Sequence, residues 1–467
     1  MTRSKIFPLL FLLFLLFLLS LSTDAFALDR ELSRSIFAEL ISIDTTNEHG
    51  NTTRAAQAMK NRLLAAGIPE QNLWLGGSAP DKQNLVMRMP GKSSLNPILL
   101  LAHLDVVEAL DADWTIAPFQ LTEKDGYFYG RGTMDDKSMA AHFVANMIEY
   151  TREGWQPARD IIVALTADEE GGNHNGVRWL LKHHREKIDA ALAINEGGTG
   201  LIINGRYRTN NLQASEKTYQ TYKLTARNAG GHSSRPANEN AIYDLIDAVG
   251  AIRQYEFPLQ INEVTHGFFT QTAKIVDQRQ LREDLTAITK KRPSKRAIKR
   301  LSAQPYYNAL LRTTCVATML SAGHAENALP QTAEATINCR IIPGVEPSAV
   351  KAQLKKVIAN PEIEITSVWD TIWSSPSDLS LVMPDVEAVT TNMWPGVIVV
   401  PVMSTGGTDG TFLRAEGIPT FGVSGIFTDV DDNRQHGKDE RIGIKQYFEA
   451  QEFMYRLVKK IAGPRLP

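Results

Sequence analysis

The sequence predicts an α/β fold, a mostly parallel sheet sandwiched by helices, interrupted by an inserted α+β domain. Three observations carry this. Short apolar runs alternate with helical periodicity from Leu28 to about Gln213. Between residues 214 and 370 the order changes to strand-helix-strand-strand-helix-strand, a ferredoxin-like arrangement. The first pattern then resumes and runs through 371–467. Strands interleaved with helices argue a sheet covered on both faces, and insertion of a domain at an exposed loop is well tolerated. A chain of 467 residues also favours more than one core.

The elements follow in order. Arg3 and Lys5 precede an apolar run from Ile6 to Leu19 that is short for a membrane span. Ala25-Phe26-Ala27 then fits a small-x-small cleavage site. Residues 1–27 therefore read as a signal peptide. A periplasmic or secreted product without a stable membrane span is expected, and an uncleaved anchor is the alternative. Helices are expected over Arg30–Ile43 and Thr53–Ala66, the second with Asn51 or Thr52 as N-cap. Strands follow over Asn84–Met89 and Pro97–Leu101, then a long helix over Lys137–Arg152. Asp160–Thr166, Gly176–Arg185 and Ala190–Asn195 read as strand, helix and strand. In the inserted domain, strands are expected over Thr218–Ala226, Leu310–Met319, Ala333–Ile341 and Glu362–Trp369, with helices over Asn240–Gln254 and Pro347–Ala359. Gly396–Val402 and Thr420–Val423 complete the strands of the first pattern. The polar stretch Gln278–Arg300, with Lys290-Lys291-Arg292 and Lys295-Arg296, reads as a solvated helical insertion enlarging the small domain.

A net charge of −2 gives no reason to expect nucleic acid as a partner. The basic segment leaves contact with an anionic surface as a minor reading. Cys315 and Cys339 lie in apolar stretches without CxxC spacing. They read first as buried thiols, although export would permit a disulfide.

Polar clusters stand where the strands end. His103-Leu104-Asp105 follows Pro97–Leu101, Asp168-Glu169-Glu170 follows the strand ending at Thr166, and Glu196 follows Ala190–Asn195. Asp135-Asp136 sits in a Gly-rich turn before the long helix, and His436 lies near the end of the chain. Open α/β sheets place their sites at strand C-terminal ends. Two imidazoles among several carboxylates suit zinc or a similar divalent ion. In an extended segment Glu169 and Glu170 point opposite ways, so one can bind metal while the other serves as base.

These residues resemble the M20 family of di-zinc peptidases and aminoacylases. The matching pieces are His103-Leu104-Asp105, Gly130-Arg131-Gly132-x-x-Asp135-Asp136-Lys137, Asp168-Glu169-Glu170-Gly171-Gly172, Asn195-Glu196-Gly197-Gly198, Gly230-Gly231-His232-Ser233-Ser234 and Ser404-Thr405-Gly406-Gly407-Thr408-Asp409. Their arrangement is most similar to the carboxypeptidase S-like branch. The resemblance implies two Zn²⁺ per subunit, replaceable by Co²⁺ or Mn²⁺. Asp135 would bridge them, His103 and Glu196 completing one site and Glu170 and His436 the other. Glu169 would be the general base, with Asp105 orienting His103. His232 would stabilise the oxyanion from the inserted domain, often across a homodimer. Arg340 would grip a substrate carboxylate, with Asn327 and the Gly406-Gly407-Thr408 turn as co-binders. The implied activity is hydrolysis of an amide bond beside a free carboxylate, of carboxypeptidase or dipeptidase type. N-acyl amino acid hydrolysis is the alternative, and a metal-free binding protein on the same fold is a remote one. The substrate would be a small peptide or an N-acyl amino acid.

Overall fold

The computed structural model describes residues 28–464. The expected signal peptide, 1–27, lies outside them. Among the described residues no helix is long and apolar enough to cross a membrane.

The large sheet is built around parallel pairings. Ile98–His103 runs parallel to Ile161–Thr166 on one side and to Leu192–Asn195 on the other, and Thr420–Gly422 continues the parallel run. Every residue of Ile98–His103 and Ile161–Thr166 is buried, as expected of strands covered on both faces. Alternation divides them between two apolar cores. Ile98, Leu100 and Ala102 face the helices Arg30–Ser42, Lys137–Arg152 and Ile444–Ala462 through Phe37, Val144 and Phe453. Leu99 and Leu101 face Val177, Leu180 and Leu413 on the opposite layer. Antiparallel strands Lys82–Met89 and Leu73–Ala79 extend the sheet at one edge. Asn51 caps Thr52–Ala65, its side chain accepting from the Arg54 amide.

A third core belongs to a four-stranded antiparallel sheet in the order Thr314–Ala322, Thr332–Ile341, Thr218–Arg227, Glu364–Ser367. Helices Ala241–Gln254 and Pro347–Ile358 cover it through Leu245, Ile252, Val350 and Leu354. With the strands taken in chain order this is 2-3-1-4, the ferredoxin-like order. The outer strand Thr314–Ala322 leaves Met319 and Leu320 about two-thirds exposed, at 68% and 67%.

Several expectations need correction. Cys315 and Cys339 form a disulfide, because the register of the edge strand Thr314–Ala322 against its neighbour Thr332–Ile341 sets them directly opposite, 4.1 Å apart at Cα. Leu310 and Leu311 are not strand but the end of a helix, Pro305–Leu311, with Pro305 in its first turn. The helix expected over Gly176–Arg185 stops at His183, and a second short one starts at Arg185. Most consequentially, the basic stretch does not enlarge the small domain. It forms helices Arg279–Ile288 and Lys295–Ser302, whose Leu285, Ile288 and Leu301 join the large core. Lys290, Lys291, Arg292, Lys295 and Arg296 do remain exposed.

Candidate metal centre

Three adjacent parallel strands deliver His103, the Asp168–Glu170 turn and Glu196 to one edge of the sheet. The turn Gly130–Asp136, which ends where the helix Lys137–Arg152 begins, adds Asp135 beside them. His103 Nε2 lies 2.9 Å from Asp135 Oδ1 and 3.8 Å from Glu196 Oε1. On its other side, Asp135 Oδ2 lies 3.2 Å from His436 Nε2, which is also 2.9 Å from Glu170 Oε1. One carboxylate thus stands between two imidazoles, each flanked by a further glutamate. Donor atoms of His103, Asp135 and Glu170, and of His103, Glu169 and Glu196, gather within 4.8 Å of one another.

The tautomer of His103 suits ligation. Its Nδ1–H donates to the backbone carbonyl of Asp105 at 3.0 Å, leaving the Nε2 lone pair facing the cluster. The orienting group is therefore that carbonyl rather than the Asp105 carboxylate, whose nearer oxygen is 3.7 Å away. Asp105 Oδ2 instead accepts from the Glu170 amide at 2.9 Å, fixing the base-bearing turn.

The charge balance calls for cations. Burial pushes the carboxyls of Glu196, Glu169 and Asp136 well above the usual range, and neighbouring carboxylates add to the effect. Burial also lifts Asp409 to about 7. Asp135 is held below its ordinary value: burial, which would raise it, is outweighed by the His103 and His436 imidazoles on its two sides. Asp136 Oδ2 and Asp409 Oδ2 are buried without partners. So many carboxylates around two imidazoles are a donor set that fits divalent metal.

Sequence reasoning missed Glu440. This fully buried carboxylate accepts from Arg131 Nη1 at 2.6 Å and from the amides of Gly132, Met134 and Asp135 at 3.3, 2.7 and 3.3 Å. It fixes the turn that presents Asp135. Its only signal was an acid four residues after His436. Breaking such a pair leaves a buried guanidinium uncompensated, so Glu440→Ala should cost about 3–5 kcal/mol of stability. Denaturant unfolding measures this, and a loss below ~1 kcal/mol would mean the pair does not anchor the turn.

The remaining expected site residues divide. Arg340 lies over the Tyr219 ring at 4.5 Å and donates from Nη1 to the Thr405 carbonyl at 3.3 Å. Among the described residues it pairs with no carboxylate. Gly407 and Thr408 line a cavity shared with Glu169 and Glu170, whereas the Gly406 amide is already given to Ser404 Oγ at 3.0 Å. His232 and Asn327 are not brought to the cluster. Both are exposed on a two-stranded ribbon, Gly231–His232 against Ala328–Leu329, where His232 Nδ1 accepts from the Ser234 amide at 3.1 Å. Both hydrogen bonds of the His232 ring, from the Ser234 amide and hydroxyl, are at Nδ1.

Comparisons with known proteins agree with this geometry. The model for peptidase family M20/M25/M40 matches residues 99–460. A probable carboxypeptidase S-like 2 of Dictyostelium discoideum is 31% identical over 413 residues, covering 85% of this chain and 78% of that protein. The human N-fatty-acyl-amino acid synthase/hydrolase PM20D1 is 29% identical over 387 residues, covering 78% and 74%. Among solved structures, the M20 family metallo-carboxypeptidase Sso-CP2 from Sulfolobus solfataricus superposes with a TM-score of 0.68 at 18% identity, over 93% of this chain and 99% of that one. Ligand spacing, fold and sequence all lead to the same place: the chain belongs to the M20/M25/M40 peptidase family and is a hydrolase of amide bonds.

Proposed function

We propose that the chain is an exported di-zinc hydrolase cleaving an amide bond beside a free carboxylate, as a carboxypeptidase or dipeptidase does. The observation that carries this is Asp135 placed between His103 and His436, with Glu196 and Glu170 on its two sides. His103, Asp135, Glu170, Glu196 and His436 would hold the cations, which when bound would lower the pKa of a water and polarise the scissile carbonyl. Glu169, adjacent to a ligand but aimed into the cavity, takes the water's proton as attack proceeds and delivers it to the departing amine. Arg340, a guanidinium without an acidic partner, takes the substrate carboxylate. Export is supported by the Cys315–Cys339 bond, which suits an oxidising compartment. N-terminal sequencing of mature protein checks cleavage after Ala27.

N-acyl amino acids are the second reading, favoured by the similarity to the human N-fatty-acyl-amino acid synthase/hydrolase. A screen of purified protein against dipeptides, Gly-X peptides and N-acyl amino acids, each as free acid and as C-terminal amide, separates the two. Acids should be cleaved and amides should not. Equal cleavage of both would remove carboxylate recognition from the proposal. Purified protein should carry about two equivalents of divalent metal, lose activity to a chelator and regain it with zinc. Elemental analysis of active enzyme showing no such metal would sink the di-metal reading.

A further inference from the structure

Beside the metal cluster lies a cavity of about 480 Å³ that reaches from Glu169 and Glu170 to the small sheet. Its far wall is unusual. Tyr219, Trp369 and Ile372 line it, and all three are exposed, at 42%, 46% and 40%. None of them belongs to any of the three apolar cores. Tyr219 and Trp369 stack on one another, ring centroids 5.8 Å apart and planes 6° from parallel. The stack is held by backbone, not by a core. Tyr219 sits in the strand Thr218–Arg227 opposite Arg340, Gln220 donates to the Trp369 carbonyl, and the Val368 amide donates to the Thr221 carbonyl. Leaving these two aromatic side chains and an isoleucine partly in water beside an active site costs hydrophobic free energy that a bound apolar group would recover.

Position decides which part of the substrate that group is. The Arg340 guanidinium rests on the Tyr219 ring, so a carboxylate held by Arg340 sits at the edge of this wall. The carboxylate belongs to the departing amino acid. Its α-carbon, one bond from the carboxylate, would then project its side chain along the Tyr219–Trp369 stack. Resting on the proposed function above, we infer that Tyr219, Trp369 and Ile372 form the subsite for the departing amino acid's side chain and select aromatic or bulky aliphatic ones. The three side chains offer stacking, edge and apolar contacts to a ring or an aliphatic chain and carry no charge themselves, although Arg178, Lys217 and Asp370 line the same cavity.

The test uses two substrate series on the full-length, metal-loaded enzyme. One holds the acyl group as acetyl and varies the departing residue through Gly, Ala, Leu, Phe and Asp. The other holds the departing residue as Phe and lengthens the acyl chain. Wild type should favour Phe and Leu over Gly by about 10–200-fold in kcat/KM. Trp369→Ala should shrink that ratio by about tenfold, mostly through KM, with metal content and thermal midpoint unchanged because the side chain is exposed. Trp369→Phe should restore most of the ratio. A Trp369→Ala effect that follows acyl length and not the departing residue would overturn the assignment, as would a wild-type preference for Asp. Failure to hydrolyse any free acid in either series would instead count against the proposed function. The two failures are therefore distinguishable.

Discussion

Glu169→Gln should retain its metal and its fold and lose at least 10²–10⁴-fold in turnover, the usual worth of positioned acid–base help. The side chain follows a buried strand and neighbours a metal-ligand candidate, yet the ligand sets centred on Asp135 are complete without it. The amide keeps the shape of the carboxylate and cannot accept a proton from water. Steady-state kinetics, elemental analysis and a melting curve on the same preparation are sufficient. Near-normal turnover would show that another group takes the proton, with Asp409, buried and lining the same cavity, a candidate.

His232→Ala should cut turnover by about 10²–10³-fold, the effect of one lost oxyanion donor, without touching metal content. Within one chain the residue is exposed, bonds to Ser234 and is no member of the ligand clusters. It can act only if the small unit swings inward or a second copy presents its own His232. The second route has a surface ready for it, since the strand Thr314–Ala322 is an open edge with Val316, Met319 and Leu320 exposed. Sedimentation should therefore show a dimer. Mixing His232→Ala and Glu169→Gln proteins under subunit exchange should restore roughly a quarter of wild-type activity by random pairing. No restoration would place the action within one chain, and a fully active His232→Ala enzyme would remove the residue from the chemistry.

What was legible in the sequence follows from how local each signal is. His103, Glu169, Glu170 and Glu196 each end a short apolar run, so strand and ligand are read from a handful of neighbouring residues. The helix Lys137–Arg152 was readable to the residue because its Gly-rich turn and its apolar periodicity adjoin. Pairings distant in sequence were not readable. Cys315 and Cys339 face one another only because of strand register. Glu440 reaches Arg131 across 309 positions. Amphipathic spacing of Leu281, Leu285 and Ile288 was present in the basic stretch, but nothing local says which core receives that face, and it was assigned to the wrong one. Leu310-Leu311 reads equally as strand or helix, and Pro305 five residues earlier was the overlooked sign. His232 is a motif without a neighbourhood in the single chain, so its role stays with the experiment above.

The clamp of Glu440 on the turn before Asp135 also sets a clock. Glu440 and His436 are made more than 300 positions after Asp135, in the one loop between the strands Phe427–Asp429 and Arg441–Gly443. During synthesis, which proceeds N-terminus first, a ribosome must therefore add and release about 300 residues beyond Asp135 before that residue can be locked and its second imidazole supplied. Until then the nascent chain holds loose carboxylates and no finished catalyst. A hydrolase built in this order cannot cut amide bonds in the compartment where it is made if it leaves that compartment before His436 and Glu440 have docked.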